Sequence, residues 1–154
     1  MVGSSREITE DNFRTIIQLS DTLDESQKKS VAPNVVSIAQ AYVNQERAWP
    51  RAIYFNEEPV GFVMIALQDD HIPEANQPAY FLWRFMISKP NQNRGFGRQV
   101  IEIIKQKALQ DGMKYLYVTC TMHDVMPYQF YIDCGFEDTY EMDDDEQILK
   151  MKLS

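Results

Sequence analysis

A chain of 154 residues, 44% hydrophobic and 12% aromatic, is long enough to bury one core and reads as a single domain over 1–154. Fifteen Lys and Arg against 23 Asp and Glu leave a net charge of −8, which disfavours nucleic acid and anionic membrane as partners and favours cationic small molecules or basic peptides, with room for a polyanion at one local basic spot. The opening MVGSSREITEDNF lacks the apolar core of a signal peptide and no run approaches the roughly 20 apolar residues of a membrane span, so a soluble, cytoplasmic protein is expected. In chain order, ITEDNFRTIIQLS predicts a short strand leading into a helix, with Thr9 as N-cap and Phe13, Ile16, Ile17 and Leu19 on helical spacing. VAPNVVSIAQAYVNQ predicts a second helix after Pro33, with Val36, Ile38, Ala39, Ala41, Tyr42 and Val43 on a broad apolar face. From Arg51 the texture becomes β-like: RAIYF and VGFVMIALQ read as a hairpin joined by the four-residue loop NEEP, and AYFLWRFMIS as a further strand beside them. Next, PNQNRGFGRQVIEIIKQKA sets two glycines in a basic, amide-rich turn and runs into a helix ending near Gln110 at Asp111-Gly112. KYLYVTC reads as a buried strand. DVMPYQFYIDCGF reads as a short helix with Asp124 as cap, Pro127 in its first turn and Gly135 as its stop. The tail EDTYEMDDDEQILKMKLS reads as a closing hairpin with an acidic tip. The pattern is an α+β fold on a mixed, mostly antiparallel sheet.

The glycine turn carries the chemistry. Gly95 and Gly97 leave main-chain N–H groups uncovered, and the helix start that follows adds its own unsatisfied donors and the positive end of its dipole, a receptor for phosphate. A bare Gly-x-Gly also suits a plain surface turn before a helix. A dinucleotide fingerprint fails because its third glycine would fall on Val100, and a phosphate-loop NTPase fails because no Gly-Lys-Ser/Thr follows. The position between a long strand and a long helix, with Arg94 and Arg98 flanking, favours the anion site. Cys120 and Cys134 lack Cys-x-x-Cys spacing and read as buried or half-buried free thiols, and no metal site is expected.

Gln92-x-x-Gly95-x-Gly97 after a strand, followed by Tyr131-x-x-x-Gly135-Phe136, resembles the GNAT superfamily of acetyl-CoA-dependent N-acetyltransferases. The element order agrees from about residue 6 to 153. Within that superfamily, YFNEEPVGFVMIAL and LWRFMISKPNQNRGFG resemble the hairpin and cofactor strand of bacterial spermine/spermidine acetyltransferases. The resemblance implies a three-layer α/β arrangement, a twisted sheet flanked by about four helices. It implies that Gln92, Asn93, Arg94, Gly95, Phe96, Gly97 and Arg98 wrap the pyrophosphate of coenzyme A, that the Met86 and Ile87 backbone meets the pantetheine arm, and that Asp124 adds a side-chain contact. It further implies Tyr131 as the acid near the thiol, direct attack of a primary amine on the thioester, a polyamine such as spermine or spermidine as acceptor, and a homodimer paired through sheet edges. Asp124 and Pro127 stand where relatives commonly carry Asn and Ala, and Trp83 stands where polyamine enzymes of this type often carry a carboxylate.

The chemistry imposes its own demands. An amine with a pKa near 10.4 is protonated at neutral pH, so presenting the free base costs about 4.6 kcal/mol and something must accept that proton. A phenol near pKa 10 gives its proton to a thiolate near 8.5 uphill by about 2 kcal/mol unless the site compensates. Tyr131 also suits plain helix packing; its motif context favours the catalytic role. Asp69, Asp70, His71 and Glu74 cluster where an acceptor would enter, and equally describe a solvated loop. Trp83 and Arg84 place an aromatic and a cation near the expected acceptor, which also suits an amine carrying a carboxylate. The carboxylates Glu137, Asp138, Glu141, Asp143, Asp144, Asp145 and Glu146 read as a hairpin tip that would attract a polycation. Beside the polyamine enzyme stand an acetyltransferase for another small amine, an antibiotic or protein N-termini and lysines, and an acyl-CoA sensor without catalysis.

Overall fold

The computed structural model describes residues 4–121 and 125–153. Seven strands form one sheet in the order β1-β2-β3-β4-β5-β7-β6: β1 Ser4–Arg6, β2 Ala48–Phe55, β3 Glu58–Ala66, β4 Ala79–Ile87, β5 Tyr115–Thr121, β6 Glu137–Asp143 and β7 Glu146–Lys152. The helices are α1 Phe13–Leu19, α2 Glu25–Ser30, α3 Asn34–Val43, α4 Phe96–Gln110 and α5 Val125–Asp133. β4 and β5 run parallel, pairing Ala79–Leu82 with Tyr115–Val118, and α4 supplies the crossover that a parallel pair requires. β1 pairs with β2, β5 with β7 and β6 with β7 antiparallel. This is the α+β arrangement on a mixed, mostly antiparallel sheet that the sequence pattern predicts. Among the described residues no helix is long and apolar enough to cross a membrane.

The chain divides into two compact units, Met1–Ile65 with Arg84–Val100, and Ala66–Trp83 with Ile101–Ser154, so that β4 and α4 contribute to both. In the first unit β3 is buried along nearly its whole length, the signature of an inner strand with both faces covered. Ile16 of α1, Ala41 of α3, Ile53 of β2 and Phe62 and Met64 of β3 are buried there, and α3 packs on α1 and β2. In the second unit Leu116 and Val118 of β5, Leu149 and Met151 of β7 and Ile104 and Ala108 of α4 form the buried set, with α5 against β5.

Local chemistry departs from the sequence reading in four places. Thr9 is not the cap of α1: the helix starts at Phe13 after Asn12, whose Oδ1 accepts the Thr9 N–H at 2.8 Å while the Thr9 carbonyl accepts from Asn12 and Phe13. The β2–β3 connection is the two-residue turn Asn56-Glu57 rather than four residues, because Asn56 adopts φ +56°, a left-handed conformation that asparagine tolerates. β2 begins at Ala48, ahead of Arg51. The α2 helix adds a further short element, fixed by a capping box between Asp24 and Gln27. The ends of α4 and α5 agree with expectation: Gly112 and Gly135 take φ +81° and +107°, and Gly135 donates to Ile132 while Phe136 donates to Tyr131 at 3.0 Å each. Asp124, the expected α5 cap, lies outside the described residues.

Candidate active site

The turn after β4 is built from the strand outwards. Gly61 on β3 allows the end of β4 to come close: an added Cβ there would stand 2.5 Å from the Met86 carbonyl oxygen and 2.9 Å from Ile87 Cδ1. The Ser88 N–H donates to the Val60 carbonyl at 2.8 Å. Ser88 and Asn91, both buried, then close a single 3₁₀ turn, with Asn91 N–H on the Ser88 carbonyl at 2.9 Å and Asn91 Nδ2 on Ser88 Oγ at 2.7 Å. Gln92 donates through Nε2 to the Ile87 carbonyl at 2.9 Å and accepts at Oε1 from Gln27 Nε2 at 2.8 Å. Both ends of the Gln92 amide are thus engaged within the protein, and the Ile87 carbonyl is occupied by it.

Beyond Gln92 the backbone opens. Asn93 at φ +62° and Gly95 at φ +83° turn the chain through left-handed conformations, and Phe96 begins the 15-residue α4. Among the described residues no backbone carbonyl accepts the N–H groups of Asn93, Arg94, Gly95, Phe96 or Gly97; the ladder starts with Gln99 N–H on the Gly95 carbonyl at 3.3 Å. An added Cβ on Gly95 would meet nothing within 4 Å, so it is backbone conformation rather than packing that calls for glycine there. Phe96 is buried against Phe55, ring centroids 4.9 Å apart, and anchors the helix start. Arg94 lies 4.8 Å over the Phe96 ring and donates through Nη1 to Asn91 Oδ1 at 2.9 Å, which holds its charge at the turn. Met86 is buried, its sulfur 3.7 Å from Asn34 Nδ2.

In the second unit, Tyr131 projects from α5 into a cluster of rings, edge-on to Phe130 at 5.3 Å and to Phe136 at 5.5 Å. It is 8% exposed, and among the described residues its hydroxyl has no hydrogen-bond partner. Burial first, then the neighbouring Cys120 and Cys134, pushes the phenol well above its ordinary range. Tyr131 therefore carries its proton at all neutral pH values. Both cysteines are free, Cys120 buried and Cys134 half-buried, and burial raises the Cys120 thiol to about 11, too high for a reactive thiolate.

The remaining candidates fall into less concentrated surroundings. Trp83 and Arg84 are consecutive in β4, so strand alternation sends their side chains to opposite faces; Arg84 Nη2 donates to Gln40 Oε1 on α3 at 3.1 Å. Asp70 and His71 sit in an exposed turn after β3, where the Asp69 carboxylate accepts from the His71 backbone at 2.9 Å and the His71 ring is open to solvent. The hairpin tip at Asp143–Glu146 is turned by Asp144 at φ +53° and is exposed, apart from Glu146. Asp138 behaves differently from the rest of that acidic run, accepting from Tyr128 Oη, Gln147 Nε2 and the Tyr140 N–H. Gln27, Thr22 and Asp24, which surround the turn, were absent from the sequence candidates although Asp24-x-x-Gln27 is a readable capping signal.

Residues 13–136 match the sequence pattern of the acetyltransferase (GNAT) family. The chain belongs to that family. No curated protein matches its sequence significantly. Among solved structures, an acetyltransferase from Thermus thermophilus superposes with a TM-score of 0.74 at 21% identity, covering 97% of this chain and 96% of that one. PaiA N-acetyltransferase from Thermoplasma acidophilum in complex with coenzyme A gives 0.69 at 13% identity, covering 97% and 98%. A chimera of the Vibrio cholerae spermidine N-acetyltransferase SpeG gives 0.69 at 13% identity, covering 97% and 94%. At such identities the likeness establishes the fold. GNAT enzymes take their acetyl group from acetyl-CoA and pass it to an amine, so the protein is an acetyltransferase, and its own residues can be tested against that group. A pyrophosphate needs several N–H donors within hydrogen-bond reach together with positive charge. The uncommitted donors from Asn93 to Gly97, the start of α4 and the Arg94 guanidinium match that need.

Proposed function

We propose that the chain, acting as one domain over 1–154, acetylates a primary amine of the polyamine class, such as spermine or spermidine, by direct attack of the amine on the acetyl-CoA thioester. The observation that carries the cofactor site is the row of unengaged backbone N–H groups from Asn93 to Gly97 at the mouth of α4. Acetyl-CoA supplies the activated acetyl group. Asn93 through Arg98 hold its phosphates, Gln92 shapes the turn, and the backbone at Met86 lies along the pantetheine arm; Asp124 is kept as a side-chain contact on family resemblance alone. Tyr131 holds the proton that its Oη gives to the departing thiolate, and the proton lost by the attacking nitrogen passes to water, from which the phenol is restored. Its motif Tyr-x-x-x-Gly-Phe supports this role, as does a hydroxyl with no partner of its own among the described residues. Burial makes the phenol a weaker acid in the resting protein, so the transfer depends on the thiolate charge developing beside it.

A polyamine acceptor is supported by the net charge of −8, by the exposed carboxylates Asp143, Asp144 and Asp145, and by the fold shared with the spermidine enzyme chimera. One observation favours a second reading, an amine that also carries a carboxylate: the half-buried Arg84, tied to Gln40, is a cation on the cofactor strand itself. A homodimer belongs to the proposal, because β6 is an outer strand and exposes Tyr140 and Met142. Steady-state thiol release across spermine, spermidine, putrescine, a zwitterionic amino acid, lysine peptides and aminoglycosides, at low and high salt, separates these readings. Spermine and spermidine should exceed any monoamine in kcat/KM and lose that advantage with salt. Equal rates with a simple monoamine and a salt-independent KM would remove the polyamine.

A further inference from the structure

Three hydrogen bonds in series run from the start of α2 into the turn after β4, all in one direction. The Asp24 N–H donates to Gln27 Oε1 at 3.2 Å, Gln27 Nε2 donates to Gln92 Oε1 at 2.8 Å, and Gln92 Nε2 donates to the Ile87 carbonyl at 2.9 Å. An amide has a donor end and an acceptor end, so each glutamine can face either way in isolation. Here the two ends of the chain are backbone groups of fixed polarity, a donor at Asp24 and an acceptor at Ile87. Only one orientation of Gln27 and one of Gln92 satisfies every link. Gln27 and Gln92 are 65 positions apart, and the contact between them is half-buried.

Two further contacts run parallel to this relay. Lys89 Nζ pairs with Asp24 Oδ2 at 3.0 Å, and the Lys89 N–H donates to Thr22 Oγ1 at 2.9 Å. Asp24 also accepts at Oδ1 from the Gln27 N–H at 3.0 Å and from Ser26 Oγ at 2.9 Å. These bonds are what hold α2 in place, because the helix has six residues and buries none of them, well below the roughly 12 residues at which a helix becomes marginally stable alone. Seen from the other side, the same bonds hold the turn. Ile87 is the last residue of β4 and Gln92 the last residue before the backbone opens, so the angle between them sets where the N–H groups of Asn93 to Gly97 point.

We propose that Gln27 is a positioning residue for acetyl-CoA, acting through Gln92 to aim the phosphate-binding backbone; this rests on the cofactor site proposed above. The relay distinguishes that role from simple helix capping. A carboxylate at position 27 keeps the capping box, for which Glu is as good as Gln, and keeps the acceptor for the Asp24 N–H. It loses the donor that Gln92 Oε1 requires. If Gln92 turns its NH2 to the carboxylate, its own oxygen comes against the Ile87 carbonyl, so one link is broken either way. A guanidinium at position 92 has donors for both neighbours and no acceptor, and so repairs the chain.

The test is titration of the full-length protein with coenzyme A by calorimetry, alongside unfolding temperature without ligand, for wild type, Gln27→Glu, Gln27→Glu with Gln92→Arg, and Gly97→Val. Gln27→Glu should raise the Kd roughly 3- to 10-fold, the size of one lost hydrogen bond, with the unfolding temperature lowered by no more than about 4 °C. Adding Gln92→Arg should return the Kd to within about threefold of wild type. A Kd for Gln27→Glu within twofold of wild type, with Gly97→Val weakened, overturns the relay and leaves the cofactor site standing. Gly97→Val with wild-type affinity overturns the cofactor site and the relay with it.

Discussion

The turn after β4 and the α5 helix use their polar groups in opposite ways. Around the turn the side chains of Gln92, Asn91 and Lys89 are spent on the protein itself, and what is left open is backbone. At the C-terminal end of α5 the backbone is closed off by helix and by the Gly135 cap, and among the described residues what is left open there is the Tyr131 hydroxyl. A site made of backbone depends on shape, so most substitutions within it should be tolerated unless they add bulk or bend the chain. A site made of one hydroxyl depends on a single atom. The two regions should therefore fail differently: the turn in cofactor affinity, α5 in rate.

The largest effect is expected at the single atom. Tyr131→Phe keeps the ring packed between Phe130 and Phe136, so kcat should fall roughly 10²- to 10³-fold while coenzyme A affinity and unfolding temperature hold. A wild-type kcat at every pH would take Tyr131 out of the mechanism. In the turn, Gly97→Val should weaken coenzyme A by roughly 10- to 100-fold, the loss of one or two charge-assisted hydrogen bonds, with kcat at saturation much less affected. A matching loss in kcat would erase the contrast between the regions. Gly61→Ala sharpens it from behind: the new Cβ meets the Met86 carbonyl, so stability should drop by about 1–3 kcal/mol in denaturant unfolding, as overpacking against backbone does. Acceptor binding should respond to charge alone. Neutralising Asp143, Asp144 and Asp145 together should raise the spermidine KM a fewfold and flatten its salt dependence, leaving kcat unchanged.

The smallest effect concerns α2. Backbone donation from Gln27, then Lys89 and Ser26, lowers the Asp24 carboxyl from 3.8 to about 2. A depressed carboxyl contributes stability that is present above its unfolded pKa and lost as pH falls through the folded one. Wild type should therefore lose stability between about pH 4 and 2 in a way that Asp24→Asn does not, measured by urea unfolding across that window. Identical acid profiles would show that the charge of Asp24, at the cap and in the Lys89 pair, leaves stability untouched.

Much of this arrangement was legible in the residues. The long runs at AYFLWRFMIS and QVIEIIKQKA have strong periodicity and clear stops, and the glycine turn between them stands out because glycines at two-residue spacing before a helix leave donors bare. Tyr131 stands out only through the resemblance carried by Tyr131-x-x-x-Gly135-Phe136, since periodicity alone describes a packed helix aromatic equally well. Shorter signals misled. Thr9 looks like a cap, yet the chain turns once more so that Asn12 faces back to it. The four-residue loop shrank to Asn56-Glu57 because asparagine accepts a positive φ. α2 has no apolar period, since none of its residues is buried, and only Asp24-x-x-Gln27 marks its start. The Gln27–Gln92 contact joins residues 65 positions apart through two polar amides, and no local pattern encodes such a pair.

On the proposed function, backbone N–H groups from Asn93 to Gly97 hold the phosphates of acetyl-CoA. Titrating coenzyme A into 15N-labelled protein and following the amide resonances tests it at those atoms. Saturating ligand should move the amide protons of Asn93, Arg94, Gly95, Phe96 and Gly97 downfield further than those of the other backbone amides, as hydrogen bonds to an anion do, and protect them from exchange. Saturable binding that leaves those amides in place and shifts a different set would contradict it.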